Sequence, residues 1–453
     1  MNYIGVLLSV VFVGVVARLL LKKYNPHAVL LIAGLAMLLI SLLLKNDLPP
    51  LKNPTGFSGF DLFAFIKESF SSTNAGVGLM IMAIGGFVAY IDKIGASNAL
   101  VYVAMKPLNL FKKHPYIAAS LVIPIGQILF IAIPSAAGLS LLLMASLFPI
   151  LVNLGVSKIS AASVITATTA FALGPASAIT ASASAIIGLE SINYFVNHQI
   201  VLAAPLSISM MITYYFVNKY YDKKNNFEKS DLEEIKQEIQ VPVIYAIIPI
   251  LPIILLIVFS EIFSLFPSPI KLDTTTAMFI SLFVALLFEL IRIKNIKEVF
   301  ESLKIFWNGM GNIFKTVVTL IIAADIFAQG LISLGFIDGL ISLTQNIGFN
   351  ATGIGIVMAV MIFLASILMG SGNASFFAFG PLVPKIAKTL GVESTIMILP
   401  MQLSASMGRT VSPVAGLIIA VSEIAGVTTL QIVKRNVIPL TVALVIMLIF
   451  HFI

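Results

Sequence analysis

The sequence contains no cysteine and few charged residues. Without cysteine the chain can form no disulfide, no thiolate metal site and no cysteine nucleophile. Asp, Glu, Lys and Arg make up 10% of the 453 residues, whereas a soluble globular protein carries about 25%. The net charge is +7, but no basic tract accompanies it. These deficits exclude a soluble globular enzyme, a disordered chain and a nucleic-acid-binding protein.

Apolar residues are abundant instead, at 59% of the chain with a mean hydropathy of +1.06. They form long continuous runs such as Ile4–Leu21 and Asn436–Phe452, and about 20 apolar residues are enough to span a bilayer as a helix. A transmembrane β-barrel would alternate polar and apolar residues in segments of about 10. The sequence therefore predicts an all-α polytopic membrane protein.

Lysine and arginine concentrate in alternate loops between these runs. Lys22 and Lys23 follow the first run, and a highly charged segment lies at 218–241. Because basic loops tend to stay in the cytoplasm, the pattern predicts cytoplasmic placement for both and periplasmic N- and C-termini. The amphipathic stretch Asp61–Phe70 is predicted to lie at the membrane interface, ahead of a third span at Val77–Ile91.

Two long apolar stretches are interrupted repeatedly by Gly, Pro, Ser and Thr. The charge pattern requires re-entrant hairpins within them, at 116–154 from the cytoplasmic side and at 351–390 from the periplasmic side. The first turns near Pro134–Gly138 and the second at Gly370–Asn373. Irregular backbone at membrane depth is tolerated where it is buried in protein or lines a cavity. We therefore expect two polar hairpin tips.

Short motifs recur in the two halves of the chain, in the same order and at nearly constant spacing. Ser135–Gly138, for example, corresponds to Ser371–Ala374. Each half contains five spans and one hairpin, and the odd number of crossings inverts the second half. We predict two inverted repeats, 1–217 and 242–453, joined by a cytoplasmic linker at 218–241. Inverted repeats with helices broken at mid-membrane are typical of secondary transporters.

The hairpin tips carry residue types that suit an anion. A turn exposes backbone N–H groups that no helix satisfies, and the helix that follows presents its positive end. An anion therefore finds donors there without a lysine. The predicted substrate-binding residues at the tips are Ser135, Ala137, Gly138, Ser371, Gly372, Asn373 and Ser375. The alternative is that they form tight turns and small-residue helix contacts.

Arg409 is the one arginine inside an apolar stretch. A charged residue at mid-membrane costs at least about 2.5–3.5 kcal/mol, so it indicates function, and its planar fork suits a carboxylate. Gly408 and Pro413 are predicted to break the helix around it, and Thr410 and Ser412 complete the predicted site. The alternative is an internal pairing of Arg409 with Asp325 or with a hairpin carbonyl.

The segment 166–184 is rich in hydroxyl residues and is broken at Gly174 and Pro175. Freed carbonyls and hydroxyls at such a break can ligate a coupling ion or the substrate. Thr168, Thr169 and Gly174 are the coupling-ion candidates, and Ser177 is a substrate-binding candidate. Serine and threonine are also common hydrogen-bonding contacts between transmembrane helices.

Asp325 is the acidic residue deepest in a predicted span. It is a further coupling-ion candidate, and a salt-bridge partner or a water-facing residue is equally compatible with its position. The sequence has no metal-ligand spacing and no Walker or dinucleotide motif. We therefore expect no cofactor and no metal, and a coupling ion that is either H⁺ or Na⁺.

Several motifs resemble the anaerobic C4-dicarboxylate carriers of the DcuC type, which belong to the ion-transporter superfamily. They are Met369–Phe379, Gly408–Gly416, Leu142–Pro149, Gly85–Tyr90, Phe327–Gly330, Tyr220–Lys224 and Val433–Arg435. The resemblance implies exchange or ion-coupled transport of succinate, fumarate or malate across the bacterial inner membrane. It also implies a scaffold domain and a mobile transport domain that moves as an elevator.

The chain departs from that family at three positions near the proposed site. Ala137 stands where the family has threonine, Ile179 where it has an acid, and Asp325 where it has a small residue. These differences bear on the substrate and the coupling ion more than on the class of protein.

The sequence thus predicts a secondary active transporter, not an enzyme, for a small dicarboxylate. An ion-coupled transporter for another small carboxylate or an amino acid is the alternative, and a channel is a further one. A membrane-embedded enzyme would need a catalytic pair, and only Asp325 and Arg409 offer one. The expected partners are the substrate and the lipid bilayer, without nucleic acid, and a homodimer is left open.

Overall fold

The computed structural model describes residues 3–111, 113–225, 241–260, 270–346 and 351–452. Within these ranges the regular secondary structure is entirely helical. The helices up to the charged segment are α1 (Tyr3–Leu21), α2 (Pro26–Leu43), α3 (Ser58–Thr73), α4 (Leu79–Lys93), α5 (Ala96–Met105), α6 (Pro115–Ala132), α7 (Ala136–Ser146), α8 (Phe148–Leu154), α9 (Lys158–Ala167), α10 (Ala178–Ile187), α11 (Ser191–Tyr194) and α12 (Ile200–Lys224).

The second part of the chain is also helical in its described residues. After a 3₁₀ segment at Val243–Ile250 it contains α13 (Leu251–Val258), α14 (Thr274–Ile293), α15 (Ile296–Ile313), α16 (Thr319–Ser333), α17 (Phe336–Asn346), α18 (Ala351–Met369), α19 (Gly372–Phe379), α20 (Val383–Leu390), α21 (Thr395–Thr410), α22 (Gly416–Ala425) and α23 (Thr429–Phe452).

In the described part of the chain, nine helical stretches are long and apolar enough to cross a bilayer. The pair α7 and α8, bent by 45°, would make a tenth. The prediction of an all-α polytopic membrane protein is confirmed. α12 continues to Lys224, into the predicted linker at 218–241, and residues 226–240 of that linker lie outside the described ranges.

The boundary predicted between the stretch Asp61–Phe70 and the third span at Val77–Ile91 falls at a kink in the structure. Asp61–Phe70 lies in α3, and α4 begins at Leu79, within a nearly continuous helical stretch of 36 residues, Ser58–Lys93. A π-helical turn at 74–78 joins α3 to α4, and the backbone of Gly76 is non-helical there (φ −106°, ψ −112°). The prediction of two segments is therefore confirmed, and the placement of the first at the membrane interface stays a prediction.

The corresponding stretch of the second half, Ile296–Ser333, has 38 residues and a π-helical turn at 314–318. Helices from the two halves pack closely here: α2 lies against α16, and α4 lies against α14 and α15. A Cβ on Gly34 would lie 2.7 Å from backbone atoms of Ile326, so only glycine allows this approach. We call α2, α3, α4, α14, α15 and α16 the frame.

Two hairpins and two broken helices lie outside the frame. Hairpin 1 pairs α6 with α7–α8 and hairpin 2 pairs α18 with α19–α20, close to the predicted limits 116–154 and 351–390. Break 1 separates α9 from α10 at 168–177, and break 2 separates α21 from α22 at 411–415. The inner arm of each hairpin packs against the second part of the other half's broken helix, α7 on α22 and α19 on α10.

Candidate functional site

Both hairpin tips are built around a serine that caps the helix after the turn. Ser135, after Pro134, accepts a hydrogen bond from the N–H of Gly138 at 3.1 Å. Ser371 accepts one from the N–H of Ala374 at 3.2 Å. Each capping serine is extended, as an N-cap residue should be. One serine oxygen satisfies only one of the first N–H groups, so other backbone donors remain available at each tip.

Side chains at the two tips differ in their exposure. In hairpin 1, Ala137 is exposed and Ser135 and Gly138 are half-buried. In hairpin 2, Asn373 is half-buried, and the described residues offer its amide no hydrogen-bond partner. The amide of Asn373 is therefore free to donate to a ligand.

Two other predicted tip residues hold hairpin 2 together. Ser375 is fully buried, and its hydroxyl bonds the hydroxyl of Ser366 and the carbonyl of Gly372. A Cβ on Gly372 would lie 2.6 Å from the carbonyl oxygen of Ala405. These contacts support structural roles, in which Ser375 joins the two arms and Gly372 seats the tip on α21.

Break 1 is longer than predicted and well supplied with internal hydrogen bonds. Thr168 and Thr169 are fully buried and donate to the carbonyls of Ile165 (2.6 Å) and Thr166 (3.2 Å). Gly174 has φ +88°, which favours glycine. Pro175 and Ser177 are buried in the same segment, and the Ser177 side chain makes no cap hydrogen bond to α10.

Break 2 lies against the tip of hairpin 2. Ser412 is buried and donates to the carbonyl of Ile367 on α18 at 2.6 Å, next to Pro413 in the break. The Thr410 hydroxyl donates to Ser406 O at 3.0 Å.

The prediction that Gly408 is a helix break is wrong. Gly408 lies within α21, and a Cβ there would lie 2.3 Å from the carbonyl oxygen of Phe363 on α18. Its role is close helix packing. A glycine that permits contact and a glycine that ends a helix look alike in a single sequence.

Arg409 connects the two breaks. It stands in the last turn of α21, is half-buried, and its Nη2 donates to the carbonyl oxygen of Thr169 at 2.5 Å. Its Nε is buried and has no partner in the described part of the chain. The alternative ion pair is absent from the described contacts, because Asp325 accepts instead from the hydroxyl of Ser69 on α3 at 2.9 Å. Arg409 thus keeps unpaired donors beside break 1.

Three buried amides that sequence reasoning missed satisfy the backbone at the breaks. Gln199 accepts from the N–H of Gly174 at 3.0 Å. Gln402 donates to the carbonyl of Ala172 at 2.8 Å, and Asn436 to the carbonyl of Thr410 at 2.9 Å. A polar amide within an otherwise apolar helix was the only signal that could have singled them out.

Two buried tyrosines hold these amides in turn. Tyr194 donates to Gln402 at 2.8 Å, and Tyr214 donates to Asn436 at 3.1 Å. Asn436 also donates to the hydroxyl of Thr166 at 3.0 Å. The network is uncharged and reaches from one half of the chain to the other, so Arg409 is the charged member of the site.

The sequence matches the family model for the C4-dicarboxylate anaerobic carrier over residues 4–453. The chain belongs to this family. The anaerobic C4-dicarboxylate transporter DcuC of Escherichia coli O6:H1 is 34% identical over 450 residues, covering 99% of this chain and 96% of the relative. The probable DcuC of Vibrio cholerae serotype O1 is 34% identical over 443 residues, covering 97% and 95%. The resemblance is confirmed, and the chain is a transporter and not an enzyme.

Solved structures of similar fold come from more distant transporters. The YdaH transporter of Alcanivorax borkumensis has a TM-score of 0.60 at 14% identity, covering 94% of this chain and 98% of that one. MtrF of Neisseria gonorrhoeae, described with a class of antimetabolite efflux pumps, has a TM-score of 0.58 at 13% identity, covering 94% and 95%. At this identity the likeness concerns the fold alone.

Proposed function

We propose that the chain is a secondary active transporter that carries C4-dicarboxylates such as succinate, fumarate and malate across the bacterial inner membrane. The observation that carries the proposal is Arg409, a half-buried guanidinium whose Nε has no partner in the described residues. A buried unpaired donor is costly, and a carboxylate is the acceptor that a guanidinium fork binds best. The names of the curated relatives support a four-carbon dicarboxylate.

In the proposed complex, Arg409 binds one carboxylate of the substrate. The second carboxylate binds backbone N–H groups at the hairpin tips, where the positive ends of α7 and α19 favour an anion. The free amide of Asn373 adds a side-chain donor. The hydrogen bond from Ser412 to the carbonyl of Ile367 holds break 2 against hairpin 2, and the bond from Thr410 to Ser406 stays within α21.

The proposed architecture is two inverted repeats, 1–217 and 242–453, with both termini in the periplasm. Equivalent backbone features in the two halves support it: π-helical turns at 74–78 and 314–318, and left-handed glycines at Gly95 and Gly335, Gly155 and Gly391, and Gly188 and Gly426. In this proposal the frame is the scaffold, and the hairpins and broken helices form the domain that moves as an elevator.

The contacts favour H⁺ over Na⁺ as the coupling ion. Na⁺ would need the freed carbonyls of break 1, but Thr169 O accepts from Arg409 and Ala172 O accepts from Gln402. Asp325 offers a carboxylate that can take up a proton, with Ser69 as its hydrogen-bond donor. Thr168 and Gly174 line the same break, and the Gly174 N–H is already bonded to Gln199.

A counterflow assay in proteoliposomes tests the function. Wild-type protein should exchange labelled succinate, whereas Arg409→Ala should lose at least about 100-fold in exchange because the clamp for one carboxylate is gone. Arg409→Lys keeps the positive charge but lacks the planar guanidinium, so its exchange rate should lie between those of the wild type and Arg409→Ala. The matched control is Arg18→Ala, an exposed arginine on α1 that should exchange normally.

Retained exchange in Arg409→Ala would contradict the clamp. Counterflow of a monocarboxylate or an amino acid without counterflow of succinate would favour the alternative substrate class. Uptake without any counterflow would identify a channel.

A further inference from the structure

Asp92 lies at the end of the frame helix α4 and is followed by Lys93. Sequence reasoning did not single it out. The chain then turns at Gly95, whose φ is +80°, and enters α5. Asp92 Oδ1 accepts a hydrogen bond from the hydroxyl of Ser97 on α5. Asp92 is half-buried, and no described residue donates to its second carboxylate oxygen, Oδ2.

That second oxygen faces hairpin 1. A Cβ placed on Gly138 would lie 3.8 Å from Asp92 Oδ2 and 2.8 Å from the Oγ of Ser135. The carboxylate therefore lies against the first turn of α7, beside the capping serine. Its partner Ser97 fixes it in that position.

The first turn of α7 attracts negative charge. The N–H of Gly138 is taken by Ser135, whereas Ala136 and Ala137 stand at the start of the helix, where N–H groups lack an intrahelical acceptor. The helix dipole adds partial positive charge at this end. No described residue of the tip donates to Asp92, so a substrate carboxylate that took these donors would bind beside the negative charge of Asp92.

We propose that the carboxylate of Asp92 opposes substrate binding at the tip of hairpin 1, because it lies beside the first turn of α7, where a carboxylate of the substrate would bind. The inference rests on the proposed function, because it places a substrate carboxylate at this tip. Two carboxylates close together at a half-buried site repel each other, so the charge of Asp92 weakens binding of the anion.

The first readout is the KM for succinate in proteoliposomes. Asp92→Asn removes the competing charge, so KM should fall by about fivefold or more with kcat unchanged or lower. Ser97→Ala should lower KM by less than Asp92→Asn does. The double variant should have the same KM as Asp92→Asn alone, because both changes act on one carboxylate. The control is Glu301→Gln, an exposed carboxylate on α15 that pairs with Lys304 and should leave KM unchanged.

The second readout needs no substrate and uses the absence of cysteine. With Ala137→Cys as the sole thiol, the rate of labelling by an anionic thiol reagent, relative to a cationic one, should rise several-fold when Asp92→Asn is added. An unchanged ratio, or an unchanged or higher KM in folded Asp92→Asn, overturns the inference. A wild-type protein that does not transport succinate overturns the proposed function instead, and the labelling ratio still shows whether Asp92 acts on the tip.

Discussion

Gln402 Nε2 donates a hydrogen bond of 2.8 Å to the carbonyl oxygen of Ala172, 230 residues away in the sequence. The same nitrogen lies 3.0 Å from the hydroxyl oxygen of Thr180. Ala172 is in break 1, where no helical N–H is available to its carbonyl. A neutral amide of the second half thus bonds the same carbonyl of break 1 to which Thr180 of the first half donates at 3.3 Å.

Replacing that amide should destabilise the protein. Gln402→Leu leaves the buried Tyr194 hydroxyl without its acceptor, a loss that costs about 1–3 kcal/mol, and removes the shorter of two hydrogen bonds to Ala172 O, which Thr180 also donates to at 3.3 Å. We expect a lower melting temperature in detergent and weaker succinate exchange. Asn312→Ala, an exposed amide on α15, should melt like the wild type. Equal melting temperatures for Gln402→Leu and wild type would show that the amide is not needed.

The hairpins and helix breaks could be predicted from the sequence because their signals are local. Pro134 and Ser135 mark the first turn and Ser371 the second, because proline, glycine and a capping hydroxyl act on their immediate neighbours. The amides were missed because their partners are distant: Asn436 bonds Thr166 across 270 residues. A single sequence carries no record of such a pairing.

A buried ion pair gives a second test of stability. Arg435 on α23 donates to Asp222 on α12 at 2.6 Å, and both side chains are buried. Asp222 also accepts from Ser157 (2.8 Å) and Ser160 (2.9 Å), which begin α9. Arg435→Met leaves a buried carboxylate uncompensated and should cost about 3–5 kcal/mol of folding free energy.

A double variant of Arg435 and Asp222 distinguishes the effect of the buried charge from the effect of side-chain packing. Arg435→Met combined with Asp222→Asn should recover much of the lost melting temperature, because no buried charge is left unpaired. Lys304→Met breaks the exposed pair with Glu301 and should change stability by less than about 1 kcal/mol. If the double variant were no more stable than Arg435→Met, packing and not charge would explain the loss.

Gly408 offers a test of helix packing beside Arg409. Gly408→Ala puts a methyl group 2.3 Å from the backbone oxygen of Phe363, which cannot move aside as a side chain would. We expect little monodisperse protein by size-exclusion chromatography. Gly416→Ala at the start of α22 meets open space and should purify normally. Normal yield and melting temperature for Gly408→Ala would refute the close-packing role.

The proposed orientation can be tested with single cysteines in this cysteine-free chain. Lys22 lies between α1 and α2 and Asn53 between α2 and α3, and both are exposed. A membrane-impermeant maleimide added to intact spheroplasts should label Asn53→Cys, and should label Lys22→Cys only after the membrane is opened. The reverse pattern would place both termini in the cytoplasm.

The two long helical stretches of the frame have a consequence for the bilayer. At about 1.5 Å per residue, stretches of 36 and 38 residues are roughly 54–57 Å long, against a hydrocarbon core of about 30 Å. To fit within the bilayer, each stretch must bend at its π-helical turn or tilt away from the membrane normal. Hydrophobic mismatch costs fractions of a kcal/mol per Å, so a change in acyl-chain length should change the strain in the frame helices.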